Sequence, residues 1–128
     1  MIYGIGTDIC AVARIQAGLA RFGEKFARRI LAPAELEGFR RSGLPAHYLA
    51  KRFAAKEAAV KAMGTGFRDG ITLSQIAVNN DPHGRPELVF SGRAAQVCGE
   101  RGIGEAHLSL ADERDYAIAF VTLLRTEA

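Results

Sequence analysis

Two acidic residues and one lysine have the types and spacing to carry out chemistry on a phosphate. Glu57 lies in the stretch RFAAKEAAVKAMGTG, residues 52–66, and successive steps of four, four and three residues align Phe53, Glu57, Lys61 and Gly64 on one helix face. Asp8 lies near the start of the chain, in MIYGIGTDIC. Carboxylates bind Mg²⁺, which leaves positions for water and substrate phosphates, and a lysine neutralises charge on a transferred phosphoryl group.

The same residues also have an ordinary structural interpretation. Asp8 could cap the helix that follows it, and Glu57 with Lys61 could form an exposed ion pair that stabilises a helix by about 0.3–0.5 kcal/mol. Spacing alone favours this interpretation over a catalytic one, and it leaves both open.

The element that must position Asp8 is a strand. The weak alternation of MIYGIGTDI predicts a strand over Ile2 to Thr7, with Asp8 at its C-terminal end. Gly4 and Gly6 inside this strand are unfavourable for a strand. They indicate that another backbone or a ligand approaches it closely.

The element that must position Glu57 is a long helix, which the sequence predicts from Pro45 to about Met63. Gly64 ends this helix because glycine adopts the left-handed conformation without steric cost. Before it, residues 11–31 predict a helix interrupted at Gly23, and APAEL opens a further short helix.

The second half of the chain predicts strands around one short helix. ITLSQIAVNN and ELVF are strand-like, SGRAAQVCGERG is a helix with Ser91 as a possible cap, and AHLSLADERDYAIAFVTLL is a hairpin with its turn at Ala111 to Asp115. We therefore predict an α+β fold, with helices packed on a largely antiparallel sheet in a single domain, residues 1–128.

Composition indicates a cytoplasmic protein of ordinary globular type. The 128 residues are 48% hydrophobic and 24% charged. No apolar run approaches the roughly 20 residues that a membrane helix needs, and the first residues do not resemble a signal peptide. Cys10 and Cys98 have no metal-ligand spacing, which favours buried thiols over a disulfide or a metal site.

Charge is distributed unevenly along the chain. Residues 1–68 hold twelve Lys or Arg and five Asp or Glu, a net +7, whereas residues 69–128 hold five and nine, a net −4. This asymmetry predicts an anionic partner for the first half. Arg21, Lys25 and Arg28 form a basic ridge at helical spacing, which Arg14 can join, although such a ridge is more often a solvated helix face. No zinc-finger or aromatic RNA-binding motif is present, so nucleic acid is a weak candidate.

Two long motifs resemble those of a known family. YGIGTDICAVARI and RFAAKEAAVKAMGTG are similar to the two signature motifs of the holo-acyl-carrier-protein synthases, the small 4′-phosphopantetheinyl transferases, and occur at the family's separation. ARRIL, GRP and HLSLADERDYAIAFV also fit, so the resemblance covers essentially the whole chain. It implies the 4′-phosphopantetheinyl transferase fold.

The resemblance also implies a reaction. Asp8 and Glu57 would bind Mg²⁺, which holds the pyrophosphate of coenzyme A while the phosphopantetheine arm moves to a serine of an apo acyl carrier protein and adenosine 3′,5′-bisphosphate leaves. Glu57 and Lys61 would be the catalytic residues. The residues do not reveal which group takes the serine proton, and Glu57, acting directly or through a metal-bound water, is our candidate. The coenzyme A site would comprise Arg52, Lys61, Gly64, Arg85 and Pro86, and the carrier would dock on Arg14, Arg21, Lys25 and Arg28. The resemblance further implies a homotrimer with active sites between subunits, and a role in fatty acid biosynthesis.

Two positions depart from the family pattern. Asp112 stands where many members have a histidine near the coenzyme A phosphates, and an acid cannot bind phosphate in that way. Cys10 stands where the larger two-lobed relatives have a second carboxylate, so water would complete the metal shell.

Two other functions compete with the transferase. One is a non-catalytic binder of acyl carrier protein, in which the basic ridge docks the carrier and the site is idle. The other is a nucleic-acid-binding module, which only the charge bias supports.

Overall fold

A long helix packed across a three-stranded antiparallel sheet forms the frame of the protein. The structure is a computed structural model, and it describes residues 1–127. In chain order the elements are β1 Ile2–Ala11, α1 Val12–Phe22, α2 Glu24–Ile30, a 3₁₀ turn at Pro33–Glu35, α3 Leu36–Arg41, α4 Pro45–Met63, a 3₁₀ turn at Leu73–Gln75, β2 Ile76–Asn80, β3 Pro86–Phe90, α5 Gly92–Arg101, β4 Ile103–Asp112 and β5 Tyr116–Arg125.

The strands form two antiparallel sheets. The larger has the order β1-β5-β4, and β2 pairs with β3 in the smaller one. The inner face of the larger sheet packs on α4, where the small side chains of Ala117 and Ala119 are fully buried. The predicted α+β class and the predicted hairpin of β4 and β5 are both confirmed. The turn is shorter than the predicted Ala111 to Asp115, because Ala111 and Asp112 still pair with β5.

The two glycines of β1 allow the strand to lie directly against α4. A Cβ atom added at Gly4 would be 1.9 Å from the backbone oxygen of Ala62, and one added at Gly6 would be 2.0 Å from that of Ala58. The close approach that these glycines predicted is confirmed, and the approaching group is the backbone of α4. This contact fixes the distance between the strand of Asp8 and the helix of Glu57.

Local signals located the helices well. The break between α1 and α2 lies at Gly23, which has a φ of 63°, and α4 runs from Pro45 to Met63 and ends at Gly64 with a φ of 78°. Both cysteines are buried and free, as expected. Among residues 1–127, no helix is long and apolar enough to cross a membrane.

Three sequence-based predictions of local structure were wrong. β1 continues to Ala11, which pairs with Tyr116 of β5, so Asp8 lies inside the strand and not at its end. Leu73–Gln75 forms a 3₁₀ turn instead of strand. Ser91 precedes α5, but its hydroxyl donates to the Gln75 carbonyl at 3.3 Å, and the Gln75 side chain instead accepts the hydrogen bond from the N–H of Ala94 at 3.0 Å.

Candidate active site

Asp8 projects from the α4-facing side of β1 and contacts a lysine of that helix. The Lys61 ammonium donates to Asp8 Oδ1 at 3.0 Å and to the backbone oxygen of Thr7 at 3.0 Å. The helix that follows β1 has Ala11 at its N-cap and no side-chain cap. The interpretation of Asp8 as a helix cap is therefore wrong.

Glu57 lies on α4 one helical turn before Lys61, and its carboxylate is near that of Asp8. Burial raises the pKa of Glu57, the charge of Asp8 raises it further, and Lys61 and Arg14 act in the opposite direction. Within residues 1–127, the ion pair of Lys61 is with Asp8 and none joins Lys61 to Glu57. The alternative interpretation of Glu57 and Lys61 as an ion pair is therefore wrong, because the sheet brings the Asp8 carboxylate to the lysine.

The two carboxylates fit a divalent cation that needs few protein ligands. Their mutual repulsion, which contributes to the raised pKa of Glu57, is what a divalent ion between them would relieve. The part of the chain described here contains no group of three or more Asp, Glu, His or Cys side chains arranged for a metal. Mg²⁺ is commonly held by one or two carboxylates together with water and substrate phosphates. Cys10 is buried and its thiol pKa is raised by burial, so it is unsuited to ligate this ion.

A surface cavity gives a ligand access to Asp8 and Lys61. Its volume is about 320 Å³, and Thr7, Asp8, Ile9, Lys61 and Ile118 line it. The Lys61 side chain is 53% exposed, so its ammonium reaches solvent while it contacts Asp8. The cavity thus combines an acid, a base and an apolar wall.

The other predicted coenzyme A residues lie elsewhere. Arg52 and Pro86 line a cavity of about 200 Å³, which Lys51 and Asp112 also line, and Arg85 joins Pro86 in a separate groove of about 370 Å³ between β3 and β4. Within one chain, none of these three lines the cavity of Asp8.

Comparisons with known proteins point to one family over nearly the whole chain. The sequence profile of the 4′-phosphopantetheinyl transferase superfamily matches residues 4–121. The chain is 58% identical to the holo-[acyl-carrier-protein] synthase of Halorhodospira halophila, over 97% of this chain and 98% of that protein. The crystal structure of holo-[acyl-carrier-protein] synthase from Neisseria meningitidis has a TM-score of 0.92 at 46% identity, covering 98% of this chain and 100% of that one.

The chain belongs to the 4′-phosphopantetheinyl transferase superfamily. It is a transferase with the fold of the holo-[acyl-carrier-protein] synthases, as its sequence predicted. The Helicobacter pylori holo-[acyl-carrier-protein] synthase, solved in complex with coenzyme A, has a TM-score of 0.82 at 28% identity, covering 94% of this chain and 99% of that one.

Asp112 of this transferase has a basic neighbour that the sequence did not reveal. The Lys51 ammonium lies 3.8 Å from Asp112 Oδ1, and both residues line the cavity of Arg52. Lys51 is far from Asp112 in sequence, and only its position next to Arg52 could have drawn attention to it. Asp112 thus neutralises the charge of Lys51 in the cavity of Arg52, which a histidine at this position would not do.

The residues of the basic ridge lie on two helices, Arg14 and Arg21 on α1 and Lys25 and Arg28 on α2. The continuous helical spacing predicted for Arg21 and Lys25 is wrong, because the chain breaks at Gly23 between them. Arg14 stacks over Phe53 of α4 at 5.5 Å and acts on the pKa of Glu57, so its charge is close to the site. Arg21 stacks over the neighbouring Phe22 ring at 5.1 Å, whereas Arg28 pairs with Glu24 at 3.0 Å. Lys25 lies on α2 between them.

The raised pKa of Glu57 predicts how stability depends on pH. A carboxyl that binds its proton more tightly in the folded state favours folding below its unfolded pKa, and that contribution is lost as pH rises through the folded pKa. Glu57→Gln should therefore raise the melting temperature at neutral pH without divalent ions, and the gain should shrink toward pH 4.5. Calorimetry across this range in chelator measures it. A Gln variant that melts below the wild type at neutral pH would contradict the assignment.

Proposed function

We propose that this transferase binds Mg²⁺ through Asp8 and Glu57 and contacts the phosphates of coenzyme A through Lys61. The reaction is the transfer of the 4′-phosphopantetheine arm of coenzyme A to a serine hydroxyl of an apo acyl carrier protein, which releases adenosine 3′,5′-bisphosphate. The observation that carries the proposal is the meeting of Asp8, Glu57 and Lys61 at the junction of β1 and α4.

The protein's own residues have separate tasks in this reaction. The serine oxygen bonds to the phosphorus that bears the pantetheine arm, the pyrophosphate P–O bond breaks, and Glu57 takes the serine proton. Lys61 stays oriented by Asp8 and places positive charge beside the transferred group. When bound, Mg²⁺ neutralises negative charge on the pyrophosphate.

Arg52, Gly64, Arg85 and Pro86 complete the proposed coenzyme A site. They are assigned by resemblance to the family, and Arg52 with Pro86 supplies a cavity of suitable charge. Because Arg52, Arg85 and Pro86 line different cavities of one chain from Asp8, a single coenzyme A molecule is more easily held by two subunits. We therefore place each active site between neighbours of a homotrimer.

An apolar surface on the larger sheet supports this assembly. The outer sheet face, which we define as Ile5, Ile9, Tyr116, Ile118 and Phe120, consists of large exposed side chains on the paired strands β1 and β5. A cluster of exposed apolar side chains of this kind typically marks a protein–protein contact. Ile9 and Ile118 also line the Asp8 cavity, so a subunit bound to this face would border the site.

Phe120→Asp should disrupt the trimer and reduce transfer strongly. Phe120 is 44% exposed on the outer sheet face, so a charge there leaves the core intact but opposes burial against a neighbour. Light scattering and a transfer assay measure the two effects. Val89→Asp is the control, because Val89 is 48% exposed on the smaller sheet and should leave assembly unchanged. An active wild-type monomer at working concentration would refute this proposal.

The basic ridge is the proposed docking surface for the carrier protein. Acyl carrier proteins are acidic by the family resemblance, and the ridge begins at Arg14 beside Glu57. Exposed charges at an interface rim chiefly set the rate of encounter and its salt dependence. Docking here would bring the carrier's serine to the Asp8 cavity.

Arg21→Glu should raise the apparent KM for the carrier several-fold and flatten its salt dependence, with little change in the KM for coenzyme A. The reason is that Arg21 belongs to the ridge and not to either phosphate-binding cavity. Arg125→Glu is a matched control, since Arg125 is exposed at the opposite end of the larger sheet from α1. A weakened KM for coenzyme A with unchanged carrier kinetics would assign the ridge to the nucleotide site.

We further propose that the protein acts in the cytoplasm and in fatty acid biosynthesis. Its two free, buried cysteines are typical of a reducing compartment. Holo acyl carrier protein is the product that fatty acid synthesis requires, according to the family resemblance.

The function is tested by incubating the protein with coenzyme A, Mg²⁺ and an apo acyl carrier protein, followed by intact mass measurement. The proposal predicts that the carrier gains the mass of one phosphopantetheine. A carrier that binds without gaining mass would indicate a non-catalytic binder. Several carriers run in parallel would show which of them are accepted.

A further inference from the structure

A buried glutamate connects three parts of the fold. Glu35 ends the 3₁₀ turn at Pro33–Glu35 and is 3% exposed. Its Oε1 accepts hydrogen bonds from the Lys56 ammonium at 2.6 Å and from the N–H of Ala32 at 2.8 Å, and its Oε2 accepts one from the N–H of Val78 at 2.9 Å. This carboxylate therefore joins the turn to α4 and β2.

Arg52 is the second cation beside Glu35. Its Nε lies 3.2 Å from Glu35 Oε2, and its Cζ lies 3.8 Å above the centre of the Tyr48 ring. The Tyr48 hydroxyl donates to the backbone oxygen of Glu35 at 2.8 Å, which fixes the ring relative to the turn. The carboxylate and the ring thus hold the guanidinium from two directions.

The charges of this cluster do not cancel. Lys56 is fully buried, so its charge is balanced by Glu35 at 2.6 Å. Arg52 then leaves one surplus positive charge, and its Nε has no hydrogen-bond partner among residues 1–127 despite its contact with Glu35. Arg52 lines the cavity that it shares with Pro86, so the surplus charge lies at a cavity wall where an anion can reach it.

We propose that Glu35 is a positioning residue that, together with the Tyr48 ring, holds Arg52 in the orientation in which it binds a phosphate group of coenzyme A. The inference rests on the proposed function, which assigns Arg52 to coenzyme A. It adds that the planar guanidinium is preorganised by Glu35 before the ligand arrives. A guanidinium fixed in this way loses less conformational freedom on binding phosphate.

A double-mutant cycle separates positioning from general stability. Arg52→Ala should raise the KM for coenzyme A at least tenfold, and Glu35→Gln should raise it several-fold, both with the carrier KM unchanged. Glu35→Gln in the Arg52→Ala background should raise it no further. The melting temperature should still fall on Glu35→Gln in both backgrounds, because glutamine has one acceptor oxygen and no charge, and so cannot replace both the Lys56 and the Val78 contacts. A purely structural role would not produce this loss of additivity in the KM alone.

A second variant keeps the proposal testable if Glu35→Gln does not fold. Tyr48→Leu removes the ring under Arg52 and leaves the Glu35–Lys56 contact in place, so it should raise the coenzyme A KM in the same non-additive way. An unchanged KM in Arg52→Ala would overturn the assignment of Arg52 and this inference with it. A raised KM in Arg52→Ala combined with fully multiplicative effects of Glu35→Gln or Tyr48→Leu would overturn the positioning role alone.

Discussion

Asp8→Ala and Glu57→Ala should each lower transfer to the apo carrier by several orders of magnitude at saturating Mg²⁺. Each change removes one of the two protein carboxylates proposed for the ion, and Glu57→Ala also removes the proposed proton acceptor. Both variants should remain folded, since neither side chain belongs to the hydrophobic core. Steady-state transfer and circular dichroism of each variant measure the two expectations.

Glu100→Ala is the matched control for these variants. Glu100 is an exposed helical glutamate whose partner is Arg93 at 3.3 Å, and exposed pairs of this kind contribute about 1 kcal/mol or less. Its removal should leave turnover unchanged. Near wild-type turnover in Asp8→Ala or Glu57→Ala would remove that residue from the proposed ligands.

Gly6→Ala should destabilise the protein severely. The added Cβ would lie 2.0 Å from the Ala58 oxygen and 2.8 Å from the Ala62 nitrogen, both backbone atoms of α4. Overpacking typically costs about 1–3 kcal/mol. Here the free energy of unfolding should fall by more than about 3 kcal/mol, because a helix backbone cannot turn aside as a side chain can. Urea unfolding measures the loss.

Gly99→Ala is the corresponding control within the same chain. Gly99 lies in α5, and apart from the nearby backbone of its own helix and its chain neighbours nothing lies within 4 Å of the Cβ that alanine would add. Alanine is favoured over glycine inside a helix by about 0.5–1 kcal/mol, so this variant should be slightly more stable than the wild type. If Gly6→Ala unfolded at the wild-type urea concentration, the close packing of β1 on α4 would be wrong.

The features that the sequence predicted well are those with local causes. Pro45 and Gly64 mark the ends of α4 because proline suits a first helical turn and glycine a left-handed C-cap. Gly4 and Gly6 indicated that another backbone lies close to β1, because glycine weakens a strand and often marks such a close approach. The two carboxylates were identified by their motifs.

The features that it predicted poorly depend on contacts between distant parts of the chain. β1 extends to Ala11 because β5, more than a hundred residues later, continues to pair with it. Lys61 contacts Asp8, 53 residues away, in preference to Glu57, one helical turn away. Neither of these two contacts can be predicted from the residues next to it in sequence.

The contacts of Glu35 could not be predicted from the sequence either. In APAEL it resembles an exposed residue of a short helix, and nothing nearby in sequence indicates burial. Its partners Lys56 and Val78 come from α4 and β2. Only the folded chain shows that this acid is buried and in contact with Arg52.

The dependence of transfer on free Mg²⁺ tests the central claim most directly. Protein freed of metal by chelation is mixed with coenzyme A and apo carrier. The fraction of modified carrier is then measured by mass spectrometry as Mg²⁺ is added. We predict no transfer without the ion, full transfer with the wild type at saturating Mg²⁺, and almost none with Glu57→Ala at any Mg²⁺ concentration. Transfer that proceeds equally in chelator, or that Glu57→Ala sustains at the wild-type rate, would contradict the account.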